Sequence, residues 1–171
     1  MNHQILYDII FDCLKQEDEE LSPITSQGIF FAPELYVAFI IGKNIKRREL
    51  DVFDNRATWY RETDLKNGGP SDFAFNIEGQ STYVFELKMR QTIQAYNADI
   101  NKLKNLNPNH QKIFIALVDA WEKDKEADPR ITGLETYHPD LIRIAAFQSF
   151  PTKQDRYQGK IWCTLGVWIL S

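Results

Sequence analysis

Three charged residues, of which the two carboxylates could hold a divalent cation, lie in two adjacent segments near the middle of the chain. Asp72 belongs to the segment 71–77, and Glu86 and Lys88 belong to the segment 82–90. Carboxylate oxygens are the ligands that Mg²⁺ and Mn²⁺ prefer in proteins. If the chain brings these side chains together, the sequence predicts a cluster of two carboxylates and one ammonium group.

Both segments alternate large apolar residues with polar ones, which predicts two strands of a β-hairpin. The apolar positions are Phe73, Phe75, Ile77, Tyr83, Phe85, Leu87 and Met89. A register that keeps these residues on one face pairs Asp72 with Glu86 across a loop that contains Gly79. The two Cβ atoms would then lie about 4.5–5.5 Å apart, so the carboxylates would repel each other unless a cation lay between them. Lys88 falls on the same face, two residues further along the strand.

An exposed charged face of an ordinary sheet is the alternative interpretation of Glu86 and Lys88. A Glu-x-Lys triplet carries little information by itself, because such triplets arise by chance in a charged chain. This chain has no second Glu-x-Lys, and its Asp-x-Lys at 64–66 lacks the strand alternation. The context therefore favours a functional cluster.

Asp72, thirteen intervening residues and then Glu86-Leu87-Lys88 resemble the active-site signature of the PD-(D/E)XK nuclease superfamily, which has the restriction-endonuclease-like fold. The resemblance covers about residues 30 to 120. It implies an α/β protein with an α-β-β-β-α-β core, in which helices flank a mixed central sheet. The aspartate would start the second strand and Glu-x-Lys would lie on the third. The literal Pro-Asp pair is absent, since Ser71 separates Pro70 from Asp72.

The function that this resemblance implies is metal-dependent hydrolysis of phosphodiester bonds, by a DNA endonuclease of defence, restriction or repair. Asp72, Glu86, Glu34 and the carbonyl of Leu87 would hold Mg²⁺ or Mn²⁺. Lys88 would orient the attacking water or stabilise the developing charge. A homodimer would suit an enzyme that cuts both strands. The alternative is a non-catalytic module on the same fold that binds nucleic acid or another protein.

Glu34 opens a predicted helix that has Pro33 in its first turn and runs to about Arg47. The helix is apolar on nearly every side, which predicts that it is largely buried. The helix dipole alone would stabilise an acid at this end by about 0.3–1 kcal/mol. The resemblance instead makes Glu34 a metal ligand, and the sequence leaves both readings open.

The candidate contacts to nucleic acid are six basic residues: Lys43, Lys46, Arg47, Arg48, Arg90 and Lys102. Residues 43 to 112 carry 12 Lys and Arg against 9 Asp and Glu, although the whole chain has a net charge of −4. This local excess makes phosphate contact credible. The first four residues could instead complement a helix C-terminus. Asp99 and Lys102 could touch the site or form a surface pair.

Other segments supply the elements around the hairpin. We expect an additional helix over 3–17 that ends in a solvated acidic run at 17–20, followed by a loop over 22–28. A first strand is expected over 58–62 and a turn over 66–70. A helix marked by Tyr96, Ile100, Leu103 and Leu106 then precedes a buried strand over 113–118, which predicts a mixed sheet. Further strands are expected near 141–148 and 160–170.

Length and composition predict one domain spanning residues 1–171, long enough to bury about 70% of its unfolded surface. Cys13 and Cys163 have apolar neighbours and no signal sequence is visible, so we expect a reducing cytoplasm. The apolar run 161–170 is too short to cross a membrane as a helix. The three histidines are scattered, and no zinc spacing or phosphate-binding glycine loop occurs.

Overall fold

In the computed structural model, which describes residues 1–65, 69–157 and 159–171, seven strands form one mixed sheet with helices on its faces. The helices are α1 (His3–Thr25), α2 (Glu34–Arg47), α3 (Glu49–Phe53), α4 (Ile93–Lys104), α5 (Pro129–Thr132) and α6 (Leu134–Tyr137). The strands are β1 (Thr58–Asp64), β2 (Pro70–Asn76), β3 (Thr82–Met89), β4 (Gln111–Trp121), β5 (Leu141–Arg143), β6 (Gln148–Pro151) and β7 (Ile161–Leu170). Short 3₁₀ turns cover Gly28–Phe31, Glu122–Asp124 and Asp155–Tyr157.

The strand order is β1-β2-β3-β4-β7-β5, and β6 also pairs with β7. From α2 to β4 the elements follow the predicted order α-β-β-β-α-β, with the short α3 added after the first helix. β3 and β4 are parallel and are joined through α4, whereas the other paired strands are antiparallel. The prediction of an α/β protein with a mixed sheet is therefore confirmed.

The hairpin of β2 and β3 has the register that the alternation predicts. Phe73 pairs with Phe85, and Phe75 pairs with Tyr83. The loop contains Gly79 with a φ of 71°, a conformation that glycine adopts without strain. The hydrogen-bonded ladder ends at the pair of Phe73 and Phe85, so Asp72 and Glu86 lie just beyond its last pair.

Both faces of the central strands β3 and β4 are buried over most of their length, which corrects the expectation of a polar face on the hairpin. Phe73, Phe85 and Leu87 share one apolar face, as predicted, and this face packs on the side of α1 and α2. Ala74 and Val84 point to the opposite side, where the apolar residues of α4 cover them. The charged residues of β3 that share this second face are therefore placed beneath α4.

The first helix is longer than predicted and its acidic run is not entirely solvated. α1 continues to Thr25, so the predicted loop over 22–28 is wrong for its first four residues. Asp18 is buried and accepts hydrogen bonds from the backbone N–H groups of Ile29 (2.9 Å) and Lys153 (3.0 Å). The N–H groups of Ile29 and Lys153, which have no secondary-structure partner, thereby gain an acceptor.

Two other expectations need correction. The prediction that α2 is buried on nearly every side is wrong for Leu35 and Tyr36, which are exposed in its first turn. The apolar segment near 141–148 forms two short strands, β5 and β6, that pair with different parts of β7. Of the predicted turn over 66–70, residues 66–68 lie outside the described part of the chain, and Pro70 already belongs to β2.

None of the described helices has the length and apolar character needed to cross a lipid bilayer. Cys13 and Cys163 are both buried free thiols.

Replacing Gly28 by alanine is expected to lower the free energy of unfolding by about 3 kcal/mol. This loss combines the strain of a left-handed backbone at a non-glycine residue with the disturbance of the buried acceptor Asp18. Gly28 has a φ of 60°, and a Cβ there would collide with the carboxylate of Asp18. The measurement is urea unfolding followed by circular dichroism. Gly79→Ala is the matched control, because Gly79 also has a positive φ but has no atom within 4 Å of the added Cβ. We expect that control to lose only about 1 kcal/mol. Equal losses in the two variants would contradict the role assigned to Asp18.

Candidate active site

A cluster of six charged side chains forms where the ends of β2 and β3 meet α2 and α4. We call it the carboxylate–lysine cluster, and its members are Glu34, Asp72, Glu86, Lys88, Asp99 and Lys102. The strand pleat sends Glu86 and Lys88 to the α4 side of β3. Asp99 and Lys102 lie three residues apart on α4, so they project from one side of the helix toward β3.

Lys88 is held between carboxylates from two helices. Its Nζ lies 2.9 Å from Oε1 of Glu34 and 2.9 Å from Oδ2 of Asp99. Burial by itself would lower the pKa of Lys88, but the attraction of the Glu34 and Asp99 carboxylates outweighs it and raises the pKa above its ordinary value. Lys88 therefore remains a cation throughout the physiological pH range.

Glu34 is attached to β3 at two points. Besides the contact with Lys88, its Oε2 accepts a hydrogen bond of 2.9 Å from the backbone N–H of Met89. The helix start explains why an acid is tolerated here, since the dipole favours negative charge. The dipole is not its only partner, however, and the first turn of α2 places Glu34 in the cluster that the resemblance implies.

Glu86 is the most deeply buried member of the carboxylate–lysine cluster, with 2% of its surface exposed. Its Oε1 lies 2.5 Å from Nζ of Lys102, which also donates a hydrogen bond of 2.6 Å to the carbonyl of Pro70. Burial raises the pKa of Glu86 to about 7; Lys102 opposes this shift, whereas Asp72 and Asp99 add to it. The alternative of an exposed charged strand face is therefore wrong for this residue.

Asp72 reaches across the opening of the hairpin. Its Oδ2 accepts a hydrogen bond of 2.7 Å from the backbone N–H of Leu87. Burial raises the pKa of Asp72, partly offset by this hydrogen bond and by the charge of Lys88. The role predicted for Leu87 involved its carbonyl, and that role stays a prediction, because the contact described here uses the N–H.

The neighbouring strand is distorted beside Asp72. In the register of β1 and β2, Glu62 would stand opposite Asp72, but the ladder is interrupted at this pair. Glu62 has a φ of 44°, a left-handed conformation that costs a non-glycine residue of order 1–3 kcal/mol. Such strain often accompanies functional sites, and the sequence contains no signal for it at this position.

The donor chemistry of the carboxylate–lysine cluster suits a hard divalent cation. It contains two more carboxylates than ammonium groups, and carboxylate oxygen is the donor that Mg²⁺ and Mn²⁺ select. Two buried oxygens, Glu86 Oε1 and Asp99 Oδ2, accept no well-directed hydrogen bond within the described residues, although lysines lie at ion-pair distance. In the part of the chain that the structure describes, no three acidic, histidine or cysteine side chains already converge as a metal site.

The basic residues predicted to bind nucleic acid fall into two groups. Lys43, Lys46, Arg47 and Arg48 lie at the other end of α2, a helix of 14 residues that spans about 21 Å. Lys46 contacts Glu49 at 2.5 Å there, so it has a structural partner. Their role as nucleic-acid contacts stays a prediction, and they are not part of the carboxylate–lysine cluster.

Arg90 and Lys102 lie at the cluster end of the sheet. The Nε of Arg90 lies 3.2 Å from Oδ2 of Asp119, and its Nη1 donates a hydrogen bond of 3.3 Å to the carbonyl of Phe30. Asp119 also binds Arg130 at 2.9 Å, so it anchors two guanidinium groups. Sequence reasoning missed this anchor, although an aspartate directly after an apolar strand was a visible signal.

In metal-free buffer, Glu86→Gln is expected to match the wild type in stability near pH 5 and to exceed it above pH 7. The folded-state pKa of Glu86 is about 7 and its ordinary value is 4.5. The native state therefore keeps a proton that the unfolded state loses, and wild-type stability falls as pH rises through this window. The pKa difference sets an upper limit of about 3 kcal/mol on the effect.

Urea unfolding between pH 5 and pH 8 in the presence of a chelator checks this prediction. Glu78→Gln, in the exposed hairpin loop, is the matched control and should follow the wild type at every pH. A stability difference between Glu86→Gln and wild type that does not change with pH would refute the assigned protonation.

No family model, curated protein or solved structure matches this chain. The function must therefore be inferred from the geometry and chemistry of the carboxylate–lysine cluster.

Proposed function

We propose that the protein is a metal-dependent nuclease that hydrolyses phosphodiester bonds of DNA, on a restriction-endonuclease-like fold. The observation that carries the proposal is the meeting of Glu34, Asp72, Glu86 and Lys88 at one end of the sheet, from three separate elements. The α-β-β-β-α-β order and the mixed sheet support the fold assignment.

Burial of these charges is difficult to explain as a stabilising device. A buried ion pair seldom contributes more than well-packed apolar residues of the same volume, because desolvation of both charges offsets their attraction. The pKa values of Asp72 and Glu86 are both raised, so burial makes the ionised form of each less favourable than it is in water. Titratable groups perturbed by burial and by one another occur often at catalytic sites.

The residues divide into ligands and a positioned cation. Asp72 and Glu86, with the Leu87 carbonyl and Glu34, would hold Mg²⁺ or Mn²⁺. The bound ion would supply polarisation of the phosphate and a lower pKa for a coordinated water. Lys88 is fixed by Glu34 and Asp99 and stays protonated, so it can orient the attacking water or stabilise the charge that develops on the phosphate.

Arg90, beside the carboxylate–lysine cluster, and Lys102, one of its members, could contact the DNA backbone. The basic group at the far end of α2, about 21 Å along the helix from Glu34, would contact the backbone of the same duplex. We also propose that the protein acts as a homodimer when it cuts both strands. The buried thiols of Cys13 and Cys163 agree with a reducing cytoplasm.

The test is metal binding and cleavage in parallel. We expect the wild type to bind Mn²⁺ in calorimetry and to cleave plasmid or single-stranded DNA with Mg²⁺ or Mn²⁺. Asp72→Asn and Glu86→Gln should lower cleavage by about 100-fold or more, since loss of a supporting residue alone typically costs 10–100-fold. Lys88→Ala should reduce cleavage by a similar factor and leave Mn²⁺ binding largely intact, because lysine is no ligand.

Glu78→Gln is the matched control, and we expect wild-type metal binding and cleavage from it. Wild-type protein that binds no Mn²⁺ and cuts no substrate would sink the nuclease proposal. Binding of DNA without cleavage or metal uptake would favour the alternative, a non-catalytic nucleic-acid-binding module on the same fold.

A further inference from the structure

We propose that the surface beyond the carboxylate–lysine cluster binds a single strand of nucleic acid and guides it to that cluster. We call this surface the aromatic–basic strip, and it consists of Arg90, Trp121, Lys123, Arg156, Tyr157 and Lys160. The pockets and ring contacts of the strip support nucleic-acid binding independently of the nuclease function. The direction of the strand toward the cluster rests on the proposed nuclease function.

Arg90 connects the cluster to the aromatic–basic strip. It follows β3, two residues after Lys88, and its backbone N–H donates a hydrogen bond of 2.9 Å to the carbonyl of Leu117. Its guanidinium lies 5.2 Å from the centre of the Phe30 ring and 3.2 Å from Asp119. The guanidinium is therefore held in place beside the cluster.

A polar pocket of about 420 Å³ opens next to Arg90. Its lining includes Arg156, Tyr157, Gln27 and Gln154. No carboxylate of the described residues forms an ion pair with Arg156, whose guanidinium lies 5.3 Å from the ring centre of Tyr157. The pocket thus combines a guanidinium available to a phosphate with amide groups that can hydrogen bond to a base edge.

Tyr157 joins this pocket to a second one. Its ring centre lies 5.7 Å from that of Trp121, and the two rings are nearly perpendicular. Trp121 is 48% exposed, a large value for an aromatic side chain at the end of a central strand. The second pocket, of about 240 Å³, is lined by Trp121, Glu122, Lys123 and Lys160.

The charge of the aromatic–basic strip favours a polyanion. The two pockets are lined by four cationic residues and two carboxylates, Glu122 and Asp155, whereas the chain as a whole has a net charge of −4. Arg90 is paired with Asp119 and Lys123 lies 3.9 Å from Asp124, so Arg156 and Lys160 are the cations that the described residues leave for a phosphate. Trp121 is exposed and Tyr157 is partly exposed. Accessible aromatic rings between cations suit single strands, because unpaired bases stack on the rings while phosphates meet the cations. A duplex keeps its base faces inside the helix, so it could use the cations but not the rings. The strip therefore favours single-stranded nucleic acid.

The test measures binding of full-length wild type and variants to fluorescently labelled oligothymidine and to a duplex of equal length, in a chelator that prevents cleavage. Trp121→Ala and Arg156→Ala should each weaken binding of the single strand by about tenfold, within the range for loss of one base stack or one phosphate contact. Trp121→Phe should restore most of the affinity, since it keeps an aromatic face. Thermal unfolding of each variant verifies that it is folded.

The matched controls are Tyr137→Ala and Arg56→Ala. Tyr137 is 67% exposed and precedes β5, which pairs with the opposite end of β7 from Trp121. Arg56 is exposed and precedes β1 at the hairpin end of the sheet. Neither control should change binding of the single strand by more than about twofold, because phosphate contacts weaken with distance.

Unchanged single-strand binding in both Trp121→Ala and Arg156→Ala would overturn the proposal. An equal loss of duplex binding would overturn the preference for a single strand. If the wild type cuts no substrate but its single-strand binding depends on Trp121 and Arg156, the strip is upheld and the nuclease proposal fails. If it cuts DNA and binding ignores both residues, the nuclease stands and the strip fails.

Discussion

The charged side chains buried between the central strand β3 and helix α4 constrain much of this structure. β3 is a central strand, and its pleat directs Glu86 and Lys88 to the face that α4 covers. Charged groups cannot be left there without partners, since desolvation of an unpaired ion costs several kcal/mol. Lys102 and Asp99 therefore have to lie on the inner side of α4, and the first turn of α2 has to bring Glu34 to Lys88. The positions of both helices relative to β3 follow from this requirement.

A second charged network in the same protein has the balanced charge expected of a purely structural arrangement. Arg130 binds Asp119 at 2.9 Å and Asp128 at 2.7 Å, and Arg90 also contacts Asp119. Two carboxylates therefore face two guanidinium groups. The carboxylate–lysine cluster differs from it, because carboxylates exceed ammonium groups and Glu86 keeps a raised pKa despite its lysine. A network that served stability alone would gain from balanced charge. The excess of negative charge supports the proposed binding of a divalent cation.

Local periodicity predicted the parts of the structure that depend on neighbouring residues. The register of β2 and β3 followed from the alternation of phenylalanines, and α4 followed from Tyr96, Ile100 and Leu103 at helical spacing. Contacts between distant residues left no such pattern. Asp18 accepts hydrogen bonds from residues 11 and 135 positions away, so nothing in its own segment indicated burial. The pairing of Lys102 with Glu86 likewise required the packing of α4 on the sheet, which orients every residue of the helix together.

The parallel pairing of β3 and β4 places the cluster and the aromatic–basic strip at the same edge. Met89, the last residue of β3, pairs with Leu117, and β4 continues to Trp121. The overhang of four residues extends about 13 Å past the end of β3. Asp119, which anchors Arg90, and Trp121 both lie on this overhang. The extended end of β4 therefore lies close to Lys88. The crossover through α4 that builds the mixed sheet thus also places the aromatic–basic strip next to the candidate catalytic groups.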